Sequence, residues 1–118
     1  MSVWVYEDHT PDRRRYLDAP QGWELAGFED SRTRLWGSPL ARALGAEFLP
    51  RLDGADLWVE PDDVPAFRAE CALLAEHVDE LAAAAGPGYS PEYVRLRLRN
   101  LVWAADQALL EDGGLVIW

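Results

Sequence analysis

There is no lysine in this chain. All eleven basic residues are arginines, set against twenty-one aspartates and glutamates, for a formal charge of -10 over 118 residues. That sign argues against nucleic acid as a ligand, because phosphates would meet a negative body and Arg13-Arg14-Arg15 is a single short basic patch. Cysteine is nearly absent: Cys71 stands alone, which excludes an internal disulfide. No run of eighteen apolar residues and no secretory apolar segment occurs, so the expectation is a cytoplasmic protein without a membrane partner. Also missing are the G-x-G-x-x-G, P-loop, C-x-x-C and H-E-x-x-H patterns. No cofactor, metal or reaction is signalled, and a non-enzymatic role is expected.

Isoleucine and asparagine occur once each, whereas alanine, arginine, proline and glycine are plentiful. A GC-rich genome would give arginine in place of lysine without any functional cause, and a salt-adapted host would make acid a general habit. The placement of the charges must decide between those readings and a specific partner. What is present is enough for one domain over residues 1–118. A chain of 13.3 kDa buries about two thirds of its unfolded surface. Its 49% hydrophobic content also sets it apart from disordered sequences.

Ser2-Val3-Trp4-Val5-Tyr6 is β-branched and aromatic and reads as a first strand. Glu7 to Gly22 reads as a surface loop, and Trp23 to Trp36 holds short apolar pieces around Leu25 and Leu35 that could be strands. Ser38-Pro39 opens a short helix that Gly45 ends. Ala55 to Val59 reads as another strand. From about 62 to 85, Val64, Phe67, Cys71, Leu74, Val78 and Leu81 step by three and four, which predicts a long helix with one apolar face. Pro65 fits only within its first turn. Gly86-Pro87-Gly88 stops it, and Ser90-Pro91 starts a second helix to about 112. There Val94, Leu98, Leu101, Ala105 and Ala108 form one stripe, with Tyr93, Leu96, Trp103 and Leu110 on another. Two apolar faces require cover on two sides, by the partner helix and by a sheet. Leu115 to Trp118 supplies a last strand. The expected class is α+β, a small sheet including the N- and C-terminal strands, packed against an antiparallel pair of long helices.

That hairpin sorts the charges. One end brings Glu76, Asp79 and Glu80 toward Arg95, Arg97 and Arg99, where pairing is expected. The other end gathers Asp53, Asp56, Glu60, Asp62, Asp63, Glu111 and Asp112, with Arg51 and Arg68 the nearest basic residues in sequence. Glu111 and Asp112 also oppose the dipole of the helix they end. Such uncompensated crowding marks a candidate site. A solvated acidic face is the plain alternative. A divalent cation is a lesser one, since Asp53-Gly54-Ala55-Asp56 lacks the alternate ligands of an EF-hand loop.

Six tryptophans are many for this length. Trp58, Trp103 and Trp118 read as core, with one or two exposed anchors as the sharper possibility. Trp4 and Tyr6 share one face of the first strand. If Val3 and Val5 face the helices, these aromatics line the outer face as a contact surface or dimer seam. Cys71 reads as an inert buried thiol. His77 with Glu70 and Glu80 makes a weak metal edge, and His9 is an acid or base with no evident nucleophile beside it.

The carboxylates Asp53, Asp56, Glu60, Asp62 and Asp63, beside Trp58, give the chain its likeness. At the level of class it resembles the small acidic immunity proteins that bacteria pair with secreted toxins. That resemblance implies a module that covers a basic protein partner, charge complementarity speeding encounter. Trp58, Asp53, Asp56, Glu60, Asp62, Asp63, Glu111 and Asp112 would then form the partner surface of a monomer or homodimer. The rival expectations are a homodimeric structural or regulatory protein, and a small-ligand binder or enzyme with a tryptophan-lined pocket.

Overall fold

A computed structural model describes residues 1–7 and 14–118. Four strands form one antiparallel sheet: β1 (Val3–Glu7), β2 (Arg15–Leu17), β3 (Leu57–Val59) and β4 (Gly114–Ile117), in the order β2-β1-β4-β3. The first and last strands therefore pair at the centre, with Val3 opposite Ile117 and Val5 opposite Leu115. Alternation does the sorting. Val3, Val5, Leu57, Val59, Leu115 and Ile117 point inward and are buried.

The helices are α1 (Pro39–Ala43), α2 (Val64–Ala75), α3 (Val78–Ala85) and α4 (Pro91–Leu110). The α+β class and its sheet against a helix pair are as expected. Helix α4 lies between the sheet and the α2–α3 arm, touching β1 and β4 on one side and both helices on the other. Val94, Leu98, Leu101, Ala105 and Ala108 are all buried, but the second expected face is not covered along its length: Tyr93 and Trp103 are half-buried, while Leu96 and Leu110 are exposed. Ser90 caps it by accepting the Tyr93 N–H at 3.0 Å, and Ser38 caps α1 through Ala41 at 3.1 Å.

Four sequence readings need correction. The helix over 62–85 is two helices: Glu76 bonds back to Leu73 and His77 leaves helical geometry at φ -127°. Residues 61–63 form a separate 3-10 turn ahead of α2. Part of the expected loop is ordered as the edge strand β2, with Tyr6 opposite Tyr16. The stretch around Leu35 is a π-helical turn, Arg32–Trp36, that sinks Leu35 and Trp36 completely. Leu25 makes only an isolated bridge to Ser2 and is exposed. His9 and the rest of 8–13 lie outside the described residues.

No helix of the described residues is long and apolar enough to cross a membrane.

Candidate functional site

The acidic residues divide along β3. Asp53 and Asp56 precede it, and each already faces an arginine: Arg32 reaches Asp56 at 3.0 Å, and Arg42 stands 3.8 Å from Asp53. Arg32 also donates to the carbonyls of Leu52 and Ala55, so it fixes the loop as well as the charge. Glu60 follows β3 at its other end, with Arg14 at 3.7 Å. The predicted crowd of seven is thus smaller than expected. Sequence distance hid this: Arg32 and Asp56 lie 24 positions apart.

Asp62 and Asp112 do converge. With Pro61, Ala108, Leu109 and Gly113 they line an open cavity of about 260 Å³ between the start of α2 and the end of α4. Asp63 and Glu111 flank it as the residues before α2 and after α4. The local geometry is specific. Asp112 sits at φ 50°, closing α4 with the bond pair of a Schellman turn: Gly113 N–H to Ala108 carbonyl, Asp112 N–H to Leu109 carbonyl. Glycine is the usual residue at the left-handed position. Here the glycines come next, because a Cβ on Gly113 would strike the Tyr6 carbonyl and one on Gly114 the Val59 carbonyl. Asp112 is left with an unfavourable backbone and a charge opposed to the helix dipole.

The opposite tip does not neutralise itself as expected. Among the described residues no ion pair joins Glu76, Asp79 or Glu80 to Arg95, Arg97 or Arg99. Glu80 pairs with His77 at 2.8 Å. Arg97 and Arg99 lie over the rings of Tyr93 and Trp23, at 4.8 and 3.9 Å. The carbonyls ending α3 are served instead by Arg34, which donates to Ala85 and Pro87 and is held by Asp30 at 2.9 Å. The metal edge at Glu70, His77 and Glu80 is not formed. Glu70 turns inward and accepts the backbone N–H groups of Glu47, Phe48 and Leu49.

The sheet's outer face is aromatic. Tyr16, Trp58 and Trp118 are each about two-fifths exposed, at 40, 37 and 40%. Trp58 and Trp118 are therefore surface residues and not core. The ring centres of Tyr16 and Trp118 lie 5.7 Å apart, and those of Trp58 and Trp118 lie 5.6 Å apart. Beneath them Tyr6 is fully buried, 6.2 Å from Tyr16 and 6.0 Å from Trp58. The Arg14 guanidinium covers Tyr6 at 4.7 Å and Trp58 at 4.8 Å. Sequence reasoning anticipated outward Trp4 and Tyr6 but missed Tyr16 and Arg14. The alternation of Arg15-Tyr16-Leu17 was the only signal, and three residues are too few to establish a period.

Two further groups are structural in character. Burial pushes the Cys71 thiol well up, as expected of an inert core cysteine. Burial, then the hydrogen bond to Asp30, pushes the Tyr89 phenol up to about 12, so it remains a proton donor. Tyr89 thereby ties the segment before Trp36 to the turn between α3 and α4. A second cavity, of about 130 Å³, is lined by Leu25, Gly27, Phe28, Tyr93 and Arg97. Neither cavity is lined by tryptophan.

No protein-family model matches this chain, and neither a curated protein nor a solved structure does.

Proposed function

We propose that this chain binds a protein with a basic surface, covering it as an immunity or inhibitor protein covers its target. The supporting observation is the juxtaposition at one end of the sheet. Exposed Trp58, Trp118 and Tyr16 lie on the outer face, while Glu60, Asp62 and Asp63 follow β3 and Glu111 and Asp112 precede β4, the strand it pairs with. Tryptophan, tyrosine and arginine carry most binding energy where interfaces have been dissected. The carboxylates supply long-range attraction and select the sign of the partner. Asp53 and Asp56, already facing Arg42 and Arg32, take a minor part.

The uncovered aromatic face also favours a second reading, a homodimer that meets through it. Charge weighs against that choice. Each copy carries a formal -10, and a two-fold seam places identical surfaces together.

The test is capture from the native host by the wild-type chain and by a D62N/D63N/E111Q/D112N variant. A basic protein retained by the wild type, released toward about 0.5 M salt and retained poorly by the variant, supports the reading. Equal retention by both chains refutes it. Sedimentation showing a dimer that Trp58→Ala dissociates would establish the rival.

A further inference from the structure

Arg14 is held differently from Arg32, Arg34 and Arg68. Arg32, Arg34 and Arg68 each bring a guanidinium nitrogen within 3.0 Å of a carboxylate oxygen. Arg14 stands 3.7 Å from Glu60, and its buried Nε has no acceptor among the described residues. What holds it is a pair of ring faces, Tyr6 at 4.7 Å and Trp58 at 4.8 Å. Tyr6 Oη lies 3.5 Å from Glu60 Oε2 and orients that carboxylate toward the rings. Two π faces and one carboxylate are the set that recognises a guanidinium, whose flat, weakly hydrated cation stacks where an ammonium cannot.

Resting on the basic-partner reading above, we propose that the slot between Tyr6 and Trp58, closed by Glu60, receives an arginine side chain of the partner, and that Arg14 fills it in the free chain. The exchange conserves the local interactions, because one guanidinium replaces another against the same rings and carboxylate. Arg14 is suited to leave. It immediately precedes a three-residue edge strand and, among the described residues, makes no charge-assisted hydrogen bond as short as those of Arg32 or Arg34. Trp118 and Tyr16, exposed beside the slot, then contact the rest of the incoming segment.

The experiment uses the full chain, labelled with nitrogen-15, and follows the Trp58 indole N–H as N-acetylarginine amide is added. N-acetylcitrulline amide, of the same shape without the charge, is the control. Arg14→Ala should bind the arginine derivative saturably, about tenfold more tightly than the citrulline derivative and about tenfold more tightly than the wild type does. Adding Glu60→Gln should remove that preference. Equal binding of the two derivatives by Arg14→Ala, or wild-type binding as tight as the variant's, overturns the proposal. If Arg14→Ala does not fold, the wild type decides: its Arg14 Hε resonance, displaced by the two rings, must move toward the free-arginine position as the probe is added. A stationary resonance overturns the proposal. The probe bypasses any protein, so this failure is read separately from failure of the salt-dependent capture.

Discussion

The Glu70 carboxylate accepts the Leu49 backbone N–H at 2.9 Å, joining α2 to a 3-10 turn 21 residues earlier. It holds the Phe48 N–H at 3.0 Å as well. Glu70 is only 7% exposed, and its buried carboxylate keeps its place only while these donors satisfy it. Glu70→Ala should lower stability by about 3 kcal/mol, read by urea denaturation. A loss below about 1 kcal/mol would show that the turn stands without its clamp.

Asp112 combines a left-handed backbone with a charge at the wrong end of α4. Asp112→Gly removes both and should raise stability by about 1 kcal/mol at low ionic strength, while slowing association with a basic partner. Thermal denaturation at two salt concentrations is the measurement. A destabilised variant would mean that the carboxylate itself supports the turn.

Tyr89 and Asp30 set opposite limits on pH stability. The folded phenol titrates at about 12 against an ordinary 10.0, so its contribution is full below pH 10.0 and fades as pH rises toward 12. Asp30 is held below its ordinary 3.8, first by the Tyr89 hydroxyl and then by Arg34. Its contribution is present above pH 3.8 and is lost as the solution becomes more acidic. In an absorbance titration, a phenol ionising at about pH 12 should be missing from the Tyr89→Phe curve. That variant should also be less sensitive to alkali between pH 10 and 12. An unchanged titration would place the late phenol elsewhere.

Two tryptophans should separate folding from binding. Trp36 is fully buried and donates through Nε1 to the Ala26 carbonyl at 3.0 Å. Trp36→Ala should cost about 3–5 kcal/mol. Trp58 stands on the outer face, and Trp58→Ala should cost about 1 kcal/mol while weakening partner association at least about tenfold. Comparable losses of stability at both sites would argue that the aromatic face is a second core.

The helices were legible because their signals are local and redundant. Ser38-Pro39 and Ser90-Pro91 each combine a capping hydroxyl with a first-turn proline, and both caps form. The apolar stripe of α4 is long enough to show its period over 20 residues. The break at His77 escaped notice because neither glycine nor proline marks it. The π-helical turn at Arg32–Trp36 was equally hidden, since Leu35 and Trp36 are adjacent and show no period at all.

The charged residues show where local reasoning stops. Chain order alone places Asp62 and Asp63 just before α2, and Glu111 and Asp112 just after α4. The packing of α4 on α2 then brings Asp62 and Asp112 together. Arginine has no such rule. Its long side chain reaches whatever the fold sets beside it, so Arg32 went to Asp56, Arg34 to the end of α3, and Arg14 to the outer rings. Amino-acid order decided the elements, the inward faces and the sign of the surface, because those depend on neighbours within a few positions. Tertiary structure alone decided which carboxylates kept a counter-ion and which tryptophans met water, because both depend on contacts made across the whole chain.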